Sequence, residues 1–401
     1  MTSGDFRLRD LGFRVYGPSL LYAVGLGSVM PVIALSAREL GASIAVAALV
    51  ITLVGVGSLL TNVPASLLTS RFGERRAMIG AAAWATCGMA LALAATHLVA
   101  YGAGILMIGM AGSVFNLARQ SYLTEAVPMS HRARAMSMLG GTMRIGVFIG
   151  PFAAAGAMVW LGLSGAYWVG LAAFIAATLV SVRIPELASR RVAGGRLGGD
   201  DDVAAQPTIR AIATAHARTF LTLGIGVLLI SAVRSTRQAV IPLWSEQLGL
   251  DPATASLIYG MSGAIDMLVF YPAGKVMDRK GRAWVAVPCL VIMGVALVLL
   301  PFTDQAWTLL LVAMLLGFGN GIGSGIVMTL GADHSPRRGR PQFLGFWRLL
   351  SDTGVMAGPA VLSAVTAVAA LSAGVWAVAA LSFAGAAAFG YFIPRTKPPK
   401  E

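Results

Sequence analysis

Seven charged side chains stand inside runs that are otherwise apolar: Arg119, Arg144, Arg234, Arg237, Asp266, Arg348 and Asp352. An ionisable group in such a place is costly and needs a partner, water or a ligand. A carboxylate there can take up and release a proton, and a guanidinium can hold an anion. Opposite charges can also lock two helices together. Arg348 and Asp352 are spaced i,i+4, so they share one helix face and can pair locally. Asp266 lies eight residues before Gly274, roughly 12 Å along a helix at about 1.5 Å per residue. Arg234 and Arg237, spaced i,i+3 beside Gln238, have no acidic neighbour in sequence and suit a substrate anion. Facing Asp266, or snorkelling to the membrane surface, are the alternatives. Two readings fit Asp266 and Asp352. They titrate, exchanging a proton for substrate while their arginines release and recapture them, or they are permanent ion pairs.

The elements that position these groups follow from composition. Of 401 residues 57% are apolar and 12% charged, against about a quarter charged in soluble domains. Apolar runs recur at roughly 17–37, 43–65, 77–96, 101–123, 134–157, 165–184, 219–242, 253–273, 283–301, 306–331, 342–366 and 372–393. We number these spans 1 to 12. Each suffices to cross about 30 Å of hydrocarbon, and continuous rather than alternating apolarity makes them helices. The basic N-terminal stretch (Arg7, Arg9, Arg14) followed by a long apolar run reads as an uncleaved first helix rather than a signal peptide.

Lys and Arg are distributed with strong asymmetry. The N-terminus, the loops 66–76, 124–134, 274–282 and 333–341, the 183–218 segment and the C-terminus hold 24 of the 30, and the opposite loops hold only Arg38. This places both termini in the cytoplasm. The expected organisation is an N-terminal six-helix bundle (1–184), a cytoplasmic linker (185–216) and a C-terminal bundle (217–401). The linker carries Gly194-Gly195, Gly198-Gly199 and the acidic run Asp200-Asp201-Asp202, and reads as a solvated connector.

The halves match at one constant offset of 208 residues. Gly41 falls on Gly249, Gly55 on Gly263, Pro64-Ala65 on Pro272-Ala273, Arg71 and Gly73 on Arg279 and Gly281, Pro128 on Pro336, Arg132 on Arg340, and Gly150-Pro151 on Gly358-Pro359. Six spans per half makes the repeat parallel, and such halves enclose a midplane site between them.

Over essentially its whole length the chain resembles the major facilitator superfamily. The loop after span 8 carries that family's signature in full: Gly274, Asp278, Arg279, Gly281 and Arg282. The copy after span 2 is degraded, with Ser66 and Ser70 at the first Gly and the Asp, leaving Arg71, Gly73, Arg75 and Arg76. The resemblance implies an all-α membrane protein of twelve helices in two pseudo-symmetric bundles. It also implies that these basic residues meet an Asp or a helix end across the half-to-half contact as a cytoplasmic gate. Arg119, Glu125 and Arg132 resemble the rest of that network. Gly146-x-x-x-Gly150-Pro151 in span 5, repeated as Gly354-x-x-x-Gly358-Pro359 in span 11, resembles the Gly-Pro signature of the drug:proton antiporter branch. That branch also places an arginine early in span 4, where this chain reads Gly104 to Gly109 without one. In the fold resembled, span 5 packs against span 8 and span 2 against span 11. Arg144 is then within reach of Asp266, while Asn62 and Ser58 neighbour Arg348 and Asp352. Tyr22, Asn62, Asn116, Arg234, Arg237, Gln238, Asn320 and Trp347 are candidate cavity residues.

The function expected is secondary active transport by alternating access, as proton-coupled efflux of small amphiphilic compounds. An uptake symporter or uniporter of an organic anion is the alternative, and a non-transporting membrane sensor the third. Span 1 has no acidic residue between Pro18 and Pro31, and arginine is in excess, so the cavity leans away from simple cations. No nucleophile–base pair, metal-ligand cluster or phosphate loop marks an enzyme. Cys87 and Cys289 are both within apolar runs. The net charge of +13 resides in short loops, not in a nucleic-acid-binding face. The expected setting is a monomer in a bacterial inner (plasma) membrane, with the lipid bilayer and a small-molecule substrate as partners, no cofactor, and a proton gradient as energy source.

Overall fold

Once an apolar run leaves water, only internal hydrogen bonds satisfy its backbone, and the chain answers with helices. The computed structural model describes residues 16–127, 132–185, 212, 214–336 and 339–396. Among them, twelve helical segments are long and apolar enough to cross a membrane, and no strand forms. Arg7, Arg9, Arg14, Pro128 and most of the 185–216 linker, with Asp200-Asp201-Asp202, lie outside the described residues.

Span 1 runs Gly17–Val29, tightens into a 3-10 turn at Met30–Val32 around Pro31, and resumes as Ile33–Glu39. Spans 2 to 6 are Ile44–Phe72, Glu74–Ala94, Leu98–Ala126, Arg132–Leu161 and Ser164–Val182. Spans 7 to 9 are Ala217–Gln247, Pro252–Lys280 and Ala283–Leu299. Span 10 is two helices, Ala306–Ile322 and Ile326–His334, and spans 11 and 12 are Arg340–Val368 and Leu371–Phe392. Apolarity over 306–331 predicts one continuous helix for span 10, which the structure instead interrupts. It breaks at Gly323-Ser324-Gly325, where Gly325 takes the left-handed φ of +88°.

The 208-residue offset is a backbone property. Ser43 and Asp251 both cap a helix N-terminus, accepting from the amides of Val46 (3.2 Å) and Thr254 (3.0 Å). Hydrogen bonds from Thr254 hold the Asp251 carboxyl below its ordinary value. Gly41 and Gly249 turn at φ +84° and +71°, Gly73 and Gly281 at +83° and +95°, a region in which only glycine is free of a Cβ clash.

Small residues set the helix spacing. A Cβ on Gly150 would strike the backbone of Gly27 and Ser28 in span 1, and one on Gly358 would strike the carbonyl oxygen of Ala232 in span 7. The Gly-Pro pairs thus serve close packing within each half. Between the halves, span 5 packs on span 8 and span 2 on span 11.

We call the end carrying Arg71 and Arg279 the basic end. At the far end the halves are fastened. Arg38 meets Glu246 at 3.0 Å, and these residues are 208 apart, so they are repeat equivalents. Ser256 Oγ donates to the Pro151 carbonyl at 2.9 Å.

Candidate functional site

Span 8 contributes one carboxylate at midspan, and three arginines gather round it. Asp266 Oδ2 accepts a hydrogen bond from Asn320 Nδ2 at 2.6 Å and lies 3.8 Å from Arg237. Asp266 Oδ1 lies 3.9 Å from Arg144, which comes from the other half, and this buried oxygen accepts no hydrogen bond. Arg234 reaches the carboxylate indirectly. It donates to Asn320 through Nε (2.6 Å, to the amide oxygen) and Nη2 (3.2 Å, to the carbonyl). Three arginines against one aspartate leave the cluster with two positive charges in excess.

Local sequence explains this convergence. Gly321 follows Asn320, and a Cβ on it would come within 2.7 Å of the Asp266 carbonyl, so the glycine brings span 10 against span 8. The break one turn later frees Ser324 to accept from Arg144. Arg237 donates to Ser262 Oγ at 3.2 Å and rests 5.3 Å from the Tyr259 ring centre. Arg144 lies 4.4 Å from that of Phe270.

Both ion pairs are close enough for strong attraction but longer than hydrogen-bonded contacts. At about 4 Å and an effective dielectric near 20, a unit pair is worth ~4 kcal/mol before desolvation is counted. Asp266 and Arg237 are largely buried, with side-chain exposures of 16% and 11%, while Arg144 is 36% exposed. The carboxylate is thus shared rather than clamped, and a change in its charge is felt by all three arginines. These groups line a cavity of about 300 Å3 with Val147, Phe148, Pro151, Tyr259, Gly260 and Met267 among its walls. That is at the small end of ligand sites, which run from about 300 to 1,000 Å3.

The other charged pair stands at the second seam between the halves. Asp352 Oδ2 is 3.6 Å from Arg348 Nε and accepts from Asn62 Nδ2 of span 2 at 3.4 Å. Asn62 Oδ1 is held in turn by Ser113 Oγ at 2.6 Å. Gln238 lines a separate cavity with Asp352 rather than the arginine site.

Several sequence candidates are placed elsewhere. Trp347 is buried against Phe343 and donates to the Val327 carbonyl at 2.8 Å, a packing position that corrects its assignment to the cavity. Tyr22 is buried and stacked on Phe115, its hydroxyl without a hydrogen bond; the Asn116 amide oxygen is likewise buried and unbonded. Arg119 is buried inside the N-terminal half, with Nε and Nη1 unbonded, rather than exposed on a gate. The signature arginine Arg282 pairs with Asp333 of its own half at 2.7 and 3.3 Å, and not across the halves as the resemblance implied. That contact holds its guanidinium above the usual arginine value. Asp278, Arg279, Arg71 and Glu125 are exposed, Gly274 is partly buried, and the Arg132 side chain lies outside the described set.

Sequence reasoning did not find Ser262, Ser324, Asp333 or the Arg38–Glu246 pair. The signal for the first two was the run of glycines at every second residue from Gly317 to Gly325. For the last, it was opposite charges at positions 208 apart.

The model of the Major Facilitator Superfamily matches residues 19–233 and 223–401, nearly the whole chain. Curated protein sequences include no match. Solved structures agree in fold at low identity. An auto-inhibited POT family peptide transporter has a TM-score of 0.77 at 16% identity, covering 98% of each chain. The nucleoside transporter NupG has 0.72 at 15%, covering 95% of this chain and 98% of its own. A peptide transporter POT in complex with sulfate has 0.75 at 12%, covering 96% and 94%. With twelve helices, two repeated halves and a charged cavity between them, this chain is a multi-pass membrane transporter and belongs to the Major Facilitator Superfamily.

Proposed function

We propose that this chain is a proton-coupled symporter of small organic anions with an apolar body, oriented with its basic end in the cytoplasm. The observation that carries this reading is the single carboxylate of Asp266 among Arg144, Arg234 and Arg237. A substrate anion is attracted by the arginines and repelled by ionised Asp266. Protonation at the unbonded Oδ1 removes the repulsion, a gain on the order of 4 kcal/mol if the two charges stand about 4 Å apart. Linkage is reciprocal, so a bound anion favours the protonated aspartate to the same degree. Proton and anion therefore travel together. An inward proton gradient drives accumulation. Phe148, Tyr259 and Met267 accommodate the apolar body.

Export by proton exchange, implied by the Gly-Pro resemblance, is the weaker reading. Those glycines are accounted for by packing in both halves. Exchange also needs substrate and proton to compete for one carboxylate, which suits a cation, and the described walls of the arginine cavity have an excess of positive charge.

The test is flux in proteoliposomes with a panel of aliphatic and aromatic mono- and dicarboxylates. Acidifying the outside is expected to accelerate carboxylate entry, with protons entering alongside. Transport of cations in preference to carboxylates, or proton movement opposite to substrate, would overturn the reading.

A further inference from the structure

The offset that relates the halves also relates two cavities. A second cavity of about 200 Å3 lies at the seam of spans 2 and 11, beside spans 1 and 7. Its walls Ile51, Thr52, Gly55 and Ser58 are the repeat equivalents of Tyr259, Gly260, Gly263 and Asp266. Its walls Asp352, Val355 and Pro359 are the equivalents of Arg144, Val147 and Pro151. All seven counterparts line the arginine cavity, so one site has been built twice.

The twins differ in charge. Asp352 is the charged residue among the described walls of the second cavity, and the rest of its polar lining is Thr52, Ser58, Ser235 and Gln238. Arg348 Nε and Asn62 Nδ2 both approach Oδ2 of Asp352, at 3.6 and 3.4 Å. Thr52 and Ser235 donate their hydroxyl protons to the carbonyls of Leu49 (2.6 Å) and Ala232 (2.9 Å), so their oxygens remain as acceptors. Pro359 has no amide hydrogen, and the carbonyl of Val355 four residues earlier loses its helical donor. The result is one carboxylate among neutral oxygens, in a space that accommodates a small ion with several waters of about 30 Å3 each. Calcium affinity follows the number of charged ligands, and one carboxylate is too few. Arg348 is the competing cation, but it is 62% exposed, and an exposed pair is weak.

We propose that this second cavity is an alkali-cation site with Asp352 as its charged ligand, paired by the repeat with the anion site of the first. The anion half of that pairing rests on the function proposed above; the cation site does not. The experiment is thermal unfolding of the purified full-length chain in detergent at pH 8. NaCl, LiCl and KCl are titrated against choline chloride at constant ionic strength, without substrate. A saturable rise in Tm with Na+ or Li+ is expected. Asp352→Asn should weaken half-saturation at least tenfold, and Gln238→Leu and Ser58→Ala severalfold, each variant checked by size exclusion. Asp266→Asn should keep the Na+ response even if carboxylate transport is lost, which separates the two proposals. No cation-specific rise in the wild type, or an undiminished response in a monodisperse Asp352→Asn, would overturn the site. So would stabilisation that follows pH alone.

Discussion

The two seams between the halves occupy equivalent places and do different chemistry. At the seam of spans 5 and 8, Arg144 faces Asp266 and Phe270. At the seam of spans 2 and 11, the equivalents of these three are Asp352, Ser58 and Asn62, and Asp352 is held by Asn62 and its own neighbour Arg348. The helices of both seams start at positions 208 apart, with Gly-Pro in each. The first seam gathers three arginines around one acid, and the second has one acid beside a single exposed arginine and neutral oxygens. A repeat supplies two copies of a cavity, and a few side chains then decide which ion each accepts. Function in this molecule resides in the departures from its own symmetry.

The comparison breaks most readily at Arg144. Arg144→Gln removes a charged donor from the anion cavity but leaves the second seam untouched. Charge-assisted bonds of about 1.5–3 kcal/mol translate into a roughly 10- to 150-fold rise in half-saturating carboxylate, read by flux, with any Na+ response of the second cavity unchanged. The glycines test whether the two halves share one packing logic. Gly358→Ala and Gly150→Ala are each expected to cost about 1–3 kcal/mol by overpacking, seen as a lowered Tm.

The far end offers a smaller effect. Arg38 and Glu246 are partly exposed, and such pairs are worth about 0.2–1 kcal/mol. Arg38→Glu sets like charges against each other and should raise labelling of cysteines placed at the far end. The double change with Glu246→Arg should restore the wild-type level. The cap comparison is of the same order. Asp251→Ala should cost about 1 kcal/mol, and Ser43→Ala a similar amount. They differ in pH dependence. Because the Asp251 carboxyl sits below its ordinary value when folded, its contribution is present above about pH 4, the ordinary carboxylate value, and fades as pH falls. The Ser43 contribution should not change. Tm against pH for the two variants decides this.

The spans were legible because twenty apolar residues in a row have few alternatives in a membrane protein. The repeat was legible because glycine turns such as Gly73 and Gly281 leave a mark that drift in side chains does not erase. The i,i+4 pair Arg348–Asp352 follows from helix geometry alone. The break in span 10 was hidden because hydropathy records composition, not backbone continuity. Gly323 and Gly325 read as apolar there, whereas Gly325 adopts a conformation no helix contains. Trp347 was misplaced because an aromatic at helical spacing serves a cavity or a core equally well, and only the partners Phe343 and Val327 distinguish them. Arg282 found Asp333 rather than a residue of the other half because contacts between helix ends depend on tilt, which sequence does not carry.

The central claim is that Asp266 admits a proton and a substrate anion together. Asp266→Asn tests it most directly, in proteoliposomes loaded and assayed with the best carboxylate of the panel. With the neutral amide in place the arginines are permanently free. The expected result is that carboxylate exchange across the membrane persists, while accumulation driven by an inward pH gradient and the accompanying proton entry are both lost. Gradient-driven accumulation that survives in Asp266→Asn would contradict the account.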